Sequence, residues 1–201
     1  EMIYLTDFNY IEQRGNVVVN TSTVYNEESI NIIKNIIESG FSVSPYVNLN
    51  RLKDEDKIEV TTLCGTTIDG VLLNEGIASQ PQYGGLLKIE DSKPIKFTEL
   101  ISYKKTSMTP LDAFSTAGFT SVLDVMESGS GTIPANFRLI PGIGKDKAID
   151  ILKKLDKIGT GELDWVKTIA DFYDDFDKAK AMHMLDVFQL PHKQKAKTMS
   201  K

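Results

Sequence analysis

Residues 15–40 read GNVVVNTSTVYNEESINIIKNIIESG, a β-branched run followed by an amphipathic pattern. The run Val17–Val19 is typical of a short buried strand. Asn26 precedes two glutamates, which predicts a helix N-cap with acidic residues in the first turn. Apolar residues then recur at helical spacing until Gly40, a common helix stop, and they are Ile30, Ile33, Ile36 and Ile37. This stretch therefore predicts a strand followed by a helix.

The chain continues with the pattern of two strands, a second helix and a further strand. Apolar and polar residues alternate over residues 43–48, and a second apolar run at Ile58–Leu63 follows a charged turn, which favours a hairpin. Thr67–Glu75 predicts a short helix ended by Gly76, and Gly85–Glu90 predicts a strand. The order β-α-β-β-α-β is that of the ferredoxin-like two-layer sandwich. We therefore predict an α+β fold with a ferredoxin-like part at about residues 15–91.

A second αβ unit is predicted at about residues 95–158. Its pattern predicts a strand at 95–103 and then a helix that begins at Thr109-Pro110-Leu111-Asp112, which supply an N-cap, a proline at the first helical position and an acidic residue in the first turn. A helix at 121–128, a strand at 132–139 and a helix at 145–157 follow. No linker separates the two units, so we predict one α/β domain over residues 1–160. Apolar residues at helical spacing predict a helical extension at 161–190, and the lysine-rich residues 191–201 predict a disordered basic tail.

The composition excludes several classes of protein. The 201 residues include one Cys, two His and three Arg, and the single Cys and two dispersed His are too few for a disulfide scaffold or a zinc site. Both histidines, His183 and His192, lie in the predicted helical extension or tail, far in sequence from Cys64, which argues against a Cys-His or Ser-His-Asp arrangement. The lone thiol, Cys64, fits a reducing compartment and is expected to be a small core residue. No apolar run approaches the roughly 18 residues of a membrane span, and the start at Glu1 shows no signal-peptide pattern. We expect a cytoplasmic, non-enzymatic protein without metal, cofactor or membrane contact.

The charge distribution argues against a surface that coats nucleic acid. The net charge is −5, and without Lys193, Lys195, Lys197 and Lys201 of the tail the body has 19 basic and 28 acidic residues, or −9. Such an acidic body is a poor match for a phosphate backbone. One motif points the other way, since residues 140–148, IPGIGKDKA, resemble the turn of helix-hairpin-helix DNA-binding modules. Nucleic-acid binding through Gly142–Lys147 and the basic tail is therefore the alternative function, and a plain strand-to-helix turn the simpler interpretation.

Several short segments, in the order in which they occur along the chain, resemble those of one family, the regulatory domain of NrpR, the archaeal repressor of nitrogen-assimilation genes. They are Gly15–Asn20, Val43–Tyr46, Ile68–Leu73, Tyr83–Gly85, Phe97–Tyr103, Thr120–Leu123 and Gly129–Arg138. The resemblance covers about Thr6–Ile158. It implies a homodimeric sensor domain that binds 2-oxoglutarate as inducer. It also implies that DNA is contacted through a winged helix-turn-helix, which this sequence lacks, elsewhere in the protein or on a partner.

A 2-oxoglutarate site needs a cation that pairs with a carboxylate, together with hydroxyl or backbone N–H donors. Arginine is scarce here and pairs bidentately with carboxylates, which directs attention to Arg138. The helix N-terminus predicted after Cys64 would supply donors for the second carboxylate. We predict that one end of the ligand is bound by Arg138, Asn136, Ser128 and Ser130, and the other by Thr66 and Thr67.

The glycine-rich segment Ser128–Thr132 allows two interpretations. Its successive backbone N–H groups are able to form an anion-binding nest. Alternatively, Gly129 ends a helix and the segment is a plain helix-to-strand turn. The sequence leaves both interpretations open.

Overall fold

The structure is a computed structural model that describes residues 2–40, 42–51, 57–159, 181–184 and 193–199. Its helices are α1 (Glu27–Glu38), α2 (Thr66–Asn74), α3 (Pro110–Thr116), α4 (Val122–Ser128) and α5 (Lys145–Lys157). Its strands are β1 (Gly15–Val24), β2 (Val47–Arg51), β3 (Ile58–Leu63), β4 (Gln80–Glu90), β5 (Lys93–Ser102), β6 (Gly131–Leu139), β7 (Ala181–Met184) and β8 (Lys193–Met199). Short 3₁₀ turns lie at Met2–Leu5, Tyr103–Lys105 and Gly142–Gly144.

The strands form two antiparallel sheets. The first sheet has the order β2-β3-β1-β8, and the second has the order β5-β4-β6-β7. Helices and sheets occur together throughout, so the predicted α+β class is confirmed. The order β-α-β-β-α-β also holds from β1 to β4.

Helix α1 begins as the sequence predicts and lies between the two sheets. The side chain of Asn26 accepts a hydrogen bond from the backbone N–H of Ser29 at 2.8 Å, which caps the helix. Three isoleucines of α1 pack with apolar residues of the first sheet, namely Ile30, Ile33 and Ile37. Ile36 instead packs with Leu87 and Ile133 of the second sheet. One amphipathic helix therefore supplies core to both sheets.

The fourth strand of the predicted sandwich pairs differently from expectation. A ferredoxin-like sandwich would place β4 in the sheet of β1, whereas β4 pairs with β5 and β6 in the second sheet. Asp91 and Ser92 explain the difference, because both have positive φ (49° and 58°) and form a two-residue turn that closes the β4-β5 hairpin at Glu90 and Lys93. This local hairpin makes β5 the neighbour of β4.

The C-terminal part differs from the predicted helix and disordered tail wherever it is described. Residues 161–180 and 185–190 of the predicted helical extension lie outside the described residues. Ala181–Met184 is a strand paired with β6, and Lys193–Met199 is a strand paired with β1. The exposed edges of β1 and β6 each offer unpaired N–H and C=O groups, and pairing with them overrides local helical periodicity.

The largest core cluster joins the first sheet to α2 and α5. It contains Val17, Val19, Leu63, Ile68, Leu72, Ile140, Ile151 and Leu155. Ile140 follows directly after β6, so the end of the second sheet also packs against this cluster. Helix α2 consequently packs beside the end of β6, and this contact positions the site described next.

Candidate functional site

Arg138 lies near the end of β6 and is buried against helix α2. Its side chain is 3% exposed, and its Nε–H donates to both carboxylate oxygens of Asp69, at 2.8 and 3.0 Å. The Asp69 side chain is 1% exposed. Across the described residues, these two are the only charged side chains that are buried. The predicted cation is therefore present, and in this structure it holds a carboxylate of the protein itself.

Asp69 is fixed by a second hydrogen bond as well. The hydroxyl of Ser79 donates to its Oδ1 at 2.6 Å, and Ser79 is buried in the connection between α2 and β4. Hydrogen bonds to a charged acceptor are the strong ones, and they hold the carboxylate in one orientation. Three segments, α2, the following loop and β6, thus converge on one buried ion pair.

Asn136 lies two residues before Arg138 on β6 and so points to the same side of the strand. It is buried, and its Oδ1 accepts a hydrogen bond of 2.5 Å from the hydroxyl of Tyr103. Gly84 of β4 lies opposite Asn136, and a Cβ atom there would come within 2.6 Å of Pro110 and 3.4 Å of the Tyr103 hydroxyl. We call Asp69, Ser79, Tyr103, Asn136 and Arg138 the arginine cluster.

The two predicted threonines lie at the start of α2 and have different surroundings. The buried hydroxyl of Thr67 donates to the carbonyl oxygen of Val18 at 2.8 Å and accepts from its N–H at 2.9 Å, so it ties α2 to β1. Thr66 is half-buried, and its Oγ1 is 3.3 Å from the Cys64 Sγ. It precedes Asp69 by one helical turn and therefore lies on the same side of α2. Thr66 is thus near the ion pair, whereas Thr67 has a structural role.

Ser128 and Ser130 lie at the opposite end of β6 from Arg138. The seven residue-to-residue steps from Gly131 to Arg138 span about 23 Å of strand, much longer than a five-carbon dicarboxylate. The segment is also internally bonded: the N–H groups of Gly129, Ser130 and Thr132 donate to Val125 O, Ser128 Oγ and Ser121 Oγ. Gly129 has φ 74° and is the left-handed C-cap of α4. The structure therefore favours the plain turn and does not bring these serines to Arg138.

The helix-hairpin-helix interpretation lacks its first helix. Strand β6 precedes the turn at Gly142–Gly144, and α5 follows it. Lys147, at the end of the motif, donates to the carbonyl oxygen of Glu75 at 2.6 Å and pairs with its carboxylate at 3.0 Å. The motif is a strand-to-helix turn in this structure.

Other chemistry has little support in the described ranges. Cys64 is buried, and no group of three or more His, Cys, Asp or Glu side chains among the described residues is placed to hold a metal ion. None of the helices within those ranges is long and apolar enough to cross a membrane. On α5, a hydrogen bond from Lys154 lowers the pKa of the Asp150 carboxyl and raises that of the lysine itself. That pair is exposed and lies outside the arginine cluster.

Sequence reasoning identified Arg138 and Asn136 but missed their partners in the cluster. Ser79 and Tyr103 carry no pattern of their own. Ser79 reaches back ten residues to Asp69 after a helix ends, and Tyr103 is 33 residues from Asn136. One signal was available for Asp69. It is an acidic residue on a helix whose neighbours Ile68, Val71 and Leu72 are apolar, and a charge at such a position needs a buried partner.

Comparisons with known proteins agree on one family. The sequence model described as "NrpR regulatory domains NRD1 and 2" matches residues 1–169. The global nitrogen regulator NrpRI of Methanosarcina mazei is 39% identical over 171 residues, which is 79% of this chain and 52% of the relative. The global nitrogen regulator NrpR of Methanococcus maripaludis is 39% identical over 158 residues, 77% of this chain and 28% of the relative. This chain thus spans about half, or less, of the curated relatives it matches.

A solved structure supports the fold. The crystal structure of a nitrogen repressor-like protein from Methanococcus jannaschii superposes with a TM-score of 0.73 at 20% identity, covering 98% of this chain and 91% of that one. At this identity the likeness concerns the fold alone.

Proposed function

This chain belongs to the family of NrpR regulatory domains, and on that premise we propose that it is the ligand-sensing part of a nitrogen-responsive transcriptional repressor or co-repressor, with 2-oxoglutarate as its inducer. In this proposal the domain binds its ligand and catalyses no reaction. It acts in the cytoplasm as a homodimer, and DNA is contacted by a winged helix-turn-helix elsewhere in the protein or on a partner.

The observation that carries the ligand proposal is the way Arg138 binds a carboxylate. The guanidinium of Arg138 is buried in a chain whose net charge is −5. It donates hydrogen bonds to the carboxylate of Asp69, which is also buried from solvent. Arginine matches the geometry of carboxylates better than lysine does, and low polarity strengthens the interaction. These are the properties that a dicarboxylate sensor requires at one end of its site.

Two residues near Arg138, Thr66 and Asn136, are placed to bind the rest of the ligand. Thr66 lies one turn before Asp69 at the N-terminal end of α2, where the helix dipole favours an anion. Asn136, two residues before Arg138 on β6, carries an amide NH₂ group that is able to donate a hydrogen bond to a keto oxygen. The proposed site therefore consists of Arg138, Asn136 and Thr66, without Ser128, Ser130 and Thr67.

Calorimetric titration tests this function. We expect 2-oxoglutarate to bind the wild-type chain, glutarate to bind more weakly because it lacks the keto oxygen, and 2-oxobutyrate to bind more weakly because it lacks the second carboxylate. Arg138→Lys should weaken 2-oxoglutarate binding by about tenfold or more, because lysine keeps the charge but loses the planar fork.

Arg51→Ala is the matched control, since Arg51 is exposed and pairs with Glu27 at the surface. Its affinity for 2-oxoglutarate should equal that of the wild type. Equal affinities for Arg138→Lys and the wild type, or no binding of 2-oxoglutarate by any folded form, would overturn the proposal.

A further inference from the structure

The carboxylate of Asp69 occupies the position that a ligand carboxylate would need. It receives the Nε–H of Arg138 on both of its oxygens and the hydroxyl of Ser79 on one of them. Both partners of the ion pair are almost wholly buried, so their charges cancel where solvent does not reach. A second carboxylate entering this site would face Asp69 at close range.

Two carboxylates cannot share one buried guanidinium without cost. Like charges in a region of low polarity repel strongly, and one of them must leave or take up a proton. Ser79 favours Asp69 in this competition, because its hydrogen bond stabilises the carboxylate where it stands. The affinity of the site for an external anion is therefore set partly by how firmly Asp69 is held.

We propose that Asp69 is an internal competitor for the ligand, so that a ligand carboxylate displaces it from Arg138 and thereby releases helix α2 from strand β6. This inference rests on the proposed function and adds its regulation. The displaced bond is the ion pair that joins α2 to the second sheet.

Movement of α2 would reach the first sheet through contacts that are already in place. The hydroxyl of Thr67 bonds both the N–H and the C=O of Val18 on β1. A ligand that favours the released arrangement shifts the population toward it by its difference in affinity for the two arrangements. The exchange at Arg138 thus links ligand binding to the relative placement of the two sheets.

Asp69→Asn and Ser79→Ala test the competition. With Asp69→Asn, Arg138 loses its competing charge, so 2-oxoglutarate should bind about tenfold more tightly or better. With Ser79→Ala, Asp69 is held less firmly and the gain should be a few-fold. The matched control is Asp150→Asn, which removes the same charge from the exposed face of α5 and should leave the affinity unchanged. Titration with acetate, a bare carboxylate, should show the same ranking of variants.

The outcomes separate this inference from the proposed function. If the wild type binds 2-oxoglutarate and neither Asp69→Asn nor Ser79→Ala binds it more tightly, the inference is wrong and the function stands. If only the two variants bind, and bind acetate as well as 2-oxoglutarate, the competition is supported and the assignment of the inducer fails. Should Asp69→Asn not fold, the Ser79→Ala titration decides, because it leaves the ion pair in place.

Discussion

Asp69→Ala is expected to lower the free energy of unfolding by about 3–5 kcal/mol, because it leaves the guanidinium of Arg138 buried without its carboxylate. The loss exceeds that of an ordinary surface substitution, since the stranded charge cannot reach water without moving β6 or α2. Urea-induced unfolding followed by circular dichroism measures it, as a lower midpoint at an unchanged slope.

A double substitution and an exposed pair serve as controls. Asp69→Leu combined with Arg138→Met removes both charges, and its stability should lie within about 1–2 kcal/mol of the wild type, since a buried pair is often replaceable by apolar residues. Asp150→Ala breaks an exposed i,i+4 pair with Lys154 and should leave the urea midpoint close to that of the wild type. A loss below about 1 kcal/mol for Asp69→Ala would show that the ion pair is solvated and contradict its burial.

Gly70→Ala is expected to destabilise the protein by about 2 kcal/mol, although the same change in an exposed helix would stabilise it by about 1 kcal/mol. Gly70 lies within α2, and a Cβ atom there would stand 2.3 Å from the Cβ of Thr6 and 2.7 Å from its hydroxyl oxygen. Thr6 is buried, and its Cβ cannot rotate away. Overpacking therefore outweighs helix propensity, and thermal unfolding should show a lowered Tm.

Removing the Thr6 side chain should abolish most of the destabilisation caused by Gly70→Ala. In the Thr6→Gly background the side chain that blocks position 70 is gone, so Gly70→Ala should cost little there. The two substitutions would then show a coupling free energy of about 1–3 kcal/mol in a double-mutant cycle. An unchanged or higher Tm for Gly70→Ala alone would mean that α2 does not approach Thr6 as closely as described.

Local signals in the sequence were sufficient for most single elements. Asn26 and the isoleucine spacing predicted α1, and Thr109 with Pro110 predicted the start of α3, because caps and amphipathic faces are encoded by neighbouring residues. The pairing of β2 with β3 followed from two alternating runs joined by a charged turn. In each case the determinant lies within about one element of the structure it specifies.

Strand pairing over longer distances could not be read in the same way. Asp91-Ser92 is not one of the usual hairpin dipeptides, so the turn that takes β4 into the second sheet gave no clear signal. The pairing of Lys193–Met199 with β1 joins segments about 180 residues apart, and the lysine-rich composition favoured a solvated tail. The second error arose because backbone pairing at an open strand edge depends on tertiary context.

The arrangement of the arginine cluster could not be predicted in full, because its contacts depend on packing between distant segments. Scarcity of arginine points to Arg138, but Ser130 precedes the first residue of the same strand, and a strand of that length extends too far for both residues to reach one small ligand. The burial of Arg138 against Asp69 depends on where α2 packs, which no local pattern encodes.

The most direct measurement is the NMR resonance of the Arg138 Nε–H during titration with 2-oxoglutarate. The chain has three arginines, and Arg14 and Arg51 are exposed, so their resonances serve as internal controls. We predict that the Arg138 Nε–H exchanges slowly with solvent, since it is buried and bonded to Asp69, and that it shifts on saturation as the ligand carboxylate replaces Asp69. Binding of 2-oxoglutarate by calorimetry with an unchanged Arg138 resonance would contradict the account.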